Sequence, residues 1–185
     1  ERSWRLHPAP RRLDRGFLRV PYPRAPVPPT GFAAEGLHPL SEPECLDRPD
    51  GHHLAYVKHD GEGPGFVWLG GFRSDMEGGK ALALDTWARE ENRPYLRFDY
   101  FAHGRSSGDW REGTISRYRE DALAVIDALT EGPQVLVGSS MGAWIALRMV
   151  QELNTGARSD PIAGLLLLAP APDFTSELHE PHLTD

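Results

Sequence analysis

The chain has 185 residues, a formal net charge of −7, 39% apolar side chains and a single cysteine, Cys45, enough for one domain with a real core and no internal disulfide. No apolar run reaches the roughly 18 residues of a membrane helix, so the chain reads as soluble. Residues 1–40 hold seven Arg against three acidic residues, a balance of +4 that leaves −11 for the remainder; an acidic body with no basic, aromatic-interleaved stripe excludes nucleic acid as a partner.

Lysine occurs only at 58 and 80 while Arg, Ala, Gly and Pro are frequent. That bias fits a GC-rich bacterial genome, and the lone cysteine suits a reducing compartment. The expected location is the cytoplasm. The mitochondrial matrix is the alternative, because the stretch Arg2–Arg24 is Arg-rich and acid-poor, although prolines break the amphipathic helix that a targeting segment needs.

In chain order, residues 1–43 hold nine of the 17 prolines and no useful helical or strand period, and read as a disordered Pro/Arg-rich segment. Order is expected from residue 44. Leu46–Asp50 and Leu54–Val57 form a hairpin turning at Pro49-Asp50-Gly51. Phe66–Leu69 is a buried-type strand. Lys80–Glu91 is a helix with Ala81, Leu84, Trp87 and Ala88 on one face, and Tyr95–Phe98 is a further strand. A Gly-rich loop leads to a helix with Thr114 as N-cap, whose apolar stripe is Ile115, Tyr118, Ala122, Val125, Ile126 and Leu129, stopped at Gly132-Pro133. A strand, Gln134–Val137, and a helix, Met141–Leu153, follow. The last element is Ile162–Leu168, whose four leucines suit a strand covered on both faces. Strands separated by helices of this length make an α/β fold with a mostly parallel sheet and helices on both faces.

Between the Gln134 strand and the Met141 helix lies Gly138-Ser139-Ser140-Met141-Gly142, a G-x-S-x-G sequence. In a strand-to-helix context this is a nucleophile elbow: glycines 138 and 142 let the backbone turn sharply, and Ser140 becomes the candidate nucleophile. Acyl transfer also needs donors for the developing oxyanion. The Met141 NH at the start of the helix is the first candidate. The Phe72 NH, in the loop Gly70-Gly71-Phe72 after an earlier strand, is the second. Asp99 and His103 precede the elbow, where the fold that carries this motif does not place its acid and base, and read as braces of their loop. Gly78-Gly79-Lys80 lacks the first Gly and the metal-binding hydroxyl of a P-loop and reads as a helix start. His52, His53, His179 and His182 have no helix or third ligand to make a metal site.

Residues 41–173 resemble the α/β-hydrolase superfamily, and within it the subgroup of palmitoyl-protein thioesterases and acyl-glucuronide esterases with its bacterial relatives. The resemblance is carried by Leu69–Met76, Lys80–Ala83, Arg97–Tyr100, His103-Gly104 and Gly132–Trp144. It implies that residues 44–185 are the N-terminal part of an α/β-hydrolase domain. It further implies Ser140 as nucleophile, Phe72 and Met141 as oxyanion donors, esterase or thioesterase chemistry on small-molecule or acylated-protein substrates, and no metal or organic cofactor. In that family the acid and histidine follow later strands, and only 45 residues follow Ser140. The chain is therefore expected to be C-terminally truncated, nearly inert by itself, and poorly soluble through an open strand edge. The competing reading is a non-catalytic α/β-hydrolase-like binding protein or a truncated product.

Overall fold

The computed structural model describes residues 41–155 and 162–172. The Pro/Arg-rich stretch to residue 40 and the histidines 179 and 182 lie outside the described residues. The first element is β1 (Glu44–Asp47), which forms an antiparallel hairpin with β2 (His53–His59). Gly51 makes the turn with φ +84°, and its NH donates to the Arg48 carbonyl at 3.0 Å. Then come β3 (Gly65–Leu69), α1 (Gly79–Glu90), β4 (Tyr95–Phe98), a 3-10 turn (Trp110–Glu112), α2 (Ile115–Leu129), β5 (Gln134–Ser139), α3 (Met141–Thr155) and β6 (Ile162–Leu168). Thr114 caps α2 by accepting a hydrogen bond from the Arg117 NH at 3.1 Å.

The six strands of the described residues form one sheet in the order β1-β2-β4-β3-β5-β6. The pairs β3/β4, β3/β5 and β5/β6 are parallel, and β2 meets β4 antiparallel. After β4 the chain crosses to the other side of β3 to lay down β5, so the strand order reverses at β3. In open α/β sheets the crevice beyond the carboxyl ends of the strands at such a reversal is where ligands bind.

Side chains alternate across the sheet. Val67, Leu69, Leu96, Phe98 and Leu136 face a core shared with Tyr118, Ala122 and Val125 of α2 and Ile145, Ala146 and Met149 of α3. Trp68, Tyr95 and Val137 face the other side and meet Ala81 and Ala88 of α1. Helices thus cover both faces, and the apolar positions dictate which. At about 25 cal/mol per Å² of apolar surface, burial of these side chains is the main force holding the layers together.

Two expectations need correction. The inner line of α1 is Ala81, Asp85 and Ala88, while Trp87 is 38% exposed. Asp85 turns inward because Arg97 of β4 is itself buried and needs an anion. Its Nε donates to the Asp85 carboxylate at 2.8 Å, and Arg89 adds a second bond at 2.7 Å. Burial raises the Asp85 pKa, but the His59 ring 3.4 Å away and the hydrogen bonds from Arg97 and Arg89 outweigh it and hold the carboxyl well below the ordinary range. Second, β6 is not covered on both faces by the described residues. It pairs with β5 alone there, and Leu165 and Leu166 are 38% and 49% exposed. No helix among the described residues is long and apolar enough to cross a membrane.

Candidate active site

Ser140 lies between β5 and α3 with φ +53°. A non-glycine residue in this left-handed region costs on the order of 1–3 kcal/mol and persists only when its surroundings enforce it. Here they do. The Ser140 NH donates to the Leu168 carbonyl at the end of β6, 2.9 Å away, and its own carbonyl accepts from the NH groups of Ala143 and Trp144 at 3.1 and 3.3 Å, opening the helix. The side chain is exposed, and among the described residues none hydrogen-bonds its hydroxyl.

The flanking glycines are sterically required. A Cβ on Gly142 would lie 2.0 Å from the Leu69 carbonyl oxygen and 2.5 Å from that of Gly70; one on Gly138 would lie 2.6 Å from the Cα of Ala143. The helix start is thus pressed onto the end of β3 and onto its loop. That loop reaches the serine: a Cβ on Gly71 would be 3.6 Å from the Ser140 Cβ. Phe72, next in line, is half-buried with its ring 5.1 Å from that of Trp110. The Met141 side chain is fully buried, and its NH belongs to the first helical turn, where backbone donors have no partner within the helix. The structure therefore brings together Ser140, Met141, both elbow glycines and the Gly71-Phe72 loop at the reversal of strand order.

The loop after β4 carries the other chemistry-bearing residues and uses them differently. The buried Asp99 carboxylate accepts the NH groups of Met76 at 2.7 Å and Arg105 at 2.8 Å, and its pKa is raised by desolvation. His103 packs against Tyr100, Trp110 and Tyr118. Its Nδ1 lies 3.0 Å from the Phe101 carbonyl, so this nitrogen donates. Burial lowers the ring's pKa and favours the neutral form. Asp121 of α2 accepts the Phe101 NH at 2.9 Å and has its pKa pushed up to about 6 by desolvation. These contacts brace the loop. Neither Asp121 nor Trp110 was singled out by sequence. Asp121 sits inside an apolar stripe, and the one available signal for Trp110 was an isolated aromatic in a Gly-rich loop.

His52 stacks edge-on against Phe101, and Gly78 precedes α1 as its N-cap. Among the described residues no group of His, Cys, Asp or Glu is arranged to hold a metal.

The model of the alpha/beta hydrolase family matches residues 63–183, well over half of the sequence. The chain belongs to the alpha/beta hydrolase family. Its curated relatives include the mitochondrial palmitoyl-protein thioesterase ABHD10 of Homo sapiens, 40% identical over 128 residues, which is 69% of this chain and 40% of the relative. The same protein of Bos taurus is 45% identical over 100 residues, 54% of this chain and 33% of the relative. Among solved structures, one from Agrobacterium vitis S4 is 45% identical with a TM-score of 0.71, covering 78% of this chain and 58% of that one. Alpha/beta hydrolase domain-containing protein 10 from mouse is 32% identical with a TM-score of 0.68, covering 74% and 53%. This alpha/beta hydrolase chain spans 33% to 48% of the length of the curated relatives it matches.

Proposed function

We propose that Ser140 is the nucleophile of a hydrolase acting on carboxylic esters or thioesters. The observation that carries this reading is the exposed serine in a left-handed backbone conformation at the strand-to-helix turn, with the Gly71 loop packed against it. In the proposed reaction the Ser140 oxygen attacks the acyl carbonyl. The tetrahedral oxyanion rests on the NH groups of Met141 and Phe72, favoured by the positive end of α3, and water then releases the acid from the acyl-enzyme.

Attack requires a base to take the Ser140 proton. Among the described residues no side chain stands in hydrogen-bond contact with that hydroxyl, and His103 is committed to its loop. The base and its orienting acid are assigned to sequence outside the described residues. Residues 41–172 alone would thus turn over far more slowly than the full-length protein, since loss of the histidine in comparable enzymes costs about a million-fold. Relatives named as palmitoyl-protein thioesterases support a thioester or ester substrate, small or protein-borne, and their mitochondrial designation favours a mitochondrial over a cytoplasmic location.

The test is active-site labelling of the full-length protein with a fluorophosphonate, followed by peptide mapping. A single adduct on Ser140 that is absent from S140A is expected. A folded protein that stays unlabelled at Ser140 would favour the non-catalytic binding reading.

A further inference from the structure

Arg73 sits two residues beyond Gly71, in the loop that touches the Ser140 Cβ. The Ser74 NH closes a turn onto the Gly71 carbonyl at 3.1 Å, and Arg73 occupies the third place of that turn with φ +56°. Glycine is the natural occupant of such a position, so the turn itself does not call for arginine. The side chain is exposed. Its guanidinium carbon lies 5.6 Å from the centroid of the Phe72 ring and 5.3 Å from that of Trp110, within cation–π range of both. The platform is itself fixed, because Trp110 packs at 4.8 Å on His103, which packs at 5.0 Å on Tyr118.

Acids close in sequence to Arg73 and to Trp110 have contacts of their own. Glu77 pairs with Arg105, Asp109 with Arg111, Asp75 accepts the Glu77 NH, and the Asp99 carboxylate accepts two backbone NH groups. No carboxylate among the described residues pairs with Arg73. An orientated guanidinium with no carboxylate partner among the described residues, on the loop whose Gly71 approaches Ser140, in a body that carries −11 after residue 40, has the planar fork that fits a carboxylate bidentately.

We propose that Arg73, held on the Phe72–Trp110 platform, forms a subsite for a carboxylate borne by the substrate, with the adjoining carbon chain lying on the two rings and the reacting carbonyl at Ser140. A carboxylate fits better than a phosphate dianion, which recruits several donors or cations, whereas the platform supplies one. This assignment rests on the proposed hydrolase reading for the identity of the reacting group, and on the Arg73 geometry for the charge.

The experiment measures the two separately on the full-length protein. Calorimetric binding of succinic acid monoanilide is compared with that of neutral butyranilide, and the kcat/KM of mono-p-nitrophenyl succinate with that of p-nitrophenyl butyrate. Wild type is expected to favour the anionic member of each pair by about fivefold, the upper range for an exposed ion pair. R73G, which suits the backbone conformation and so should fold, loses that preference, and R73K keeps part of it. Equal or undetectable binding of the two anilides, or a preference unchanged in R73G, overturns the subsite. If neither ester is turned over while the Arg73-dependent binding preference persists, the hydrolase reading fails and the subsite stands.

Discussion

Two loops leave the carboxyl ends of β4 and β5, the parallel strands on either side of β3, and both carry residues able to do chemistry. The elbow after β5 presents one serine, exposed, in a left-handed conformation, with no side chain of the described residues bonded to its hydroxyl. The loop after β4 holds an aspartate and a histidine that are 2% and 3% exposed; Asp99 accepts the NH groups of Arg105 in its own loop and of Met76 in the loop after β3, and His103 donates to the Phe101 carbonyl. In the proposed reading the difference separates a nucleophile from a brace. A nucleophile needs access, and the fold supports the strain at Ser140 elsewhere, whereas the Asp99 carboxylate and the His103 Nδ1 direct their hydrogen bonds to backbone groups inside the fold.

The strongest way to break this comparison is Gly142→Ala. The new Cβ would meet two backbone oxygens at 2.0 and 2.5 Å, neither of which can move without shifting β3 or its loop. A loss of about 3–4 kcal/mol is expected in denaturant unfolding. A loss under about 1 kcal/mol would show that the elbow is not pressed onto β3 as described.

Next in size is Asp99→Ala, which strips acceptors from the Met76 and Arg105 NH groups. Leaving such donors without partners is expected to cost about 2–3 kcal/mol. Fluorophosphonate labelling of Ser140, scaled to the folded fraction, should persist. If labelling vanished in folded protein, Asp99 would belong to the reactive site rather than to the brace.

A third test uses pH. The Asp121 carboxyl has its pKa raised by burial to about 6, above its ordinary value of 3.8. Its contribution to stability is therefore fully present below pH about 4 and is lost as pH rises through about 6, a change on the order of 2 kcal/mol. Asp121→Asn should flatten that segment of the stability profile while keeping an acceptor for the Phe101 NH. An unchanged profile would place the titration elsewhere. Asp85 acts in the opposite sense: its lowered pKa gives stability present above pH about 4 and lost on acidification.

The smallest effect sharpens the view of the elbow. Ser140→Gly relieves the backbone at φ +53° and is expected to raise stability by about 1 kcal/mol while abolishing labelling. A neutral or destabilising result would mean that the serine is not strained in place.

Much of this was legible in the sequence because the signals are local. Turn glycines, the Thr114 cap and strand-length apolar runs act within a few residues, and they placed the turn at Gly51, the helices and the strand Ile162–Leu168 where the structure has them, while the first arm of the hairpin is Glu44–Asp47 rather than Leu46–Asp50. The G-x-S-x-G spacing located the elbow for the same reason, since both glycines answer clashes with the turn and the loop it abuts. The inner face of α1 was misread at Asp85, because only the pairing of β4 against that helix brings Arg97 beneath it.

The sequence by itself thus determined the α/β alternation, the position of the elbow and the family. The first two follow from short-range periodicity and backbone stereochemistry, and the family from the resemblance that its motifs carry. Tertiary structure alone decided that Gly71 lies against Ser140, that Asp99 and His103 are buried as braces, and that Arg73 rests on Trp110. Those contacts join residues tens of positions apart, and their existence depends on how strand order reverses around β3, which no local signal encodes.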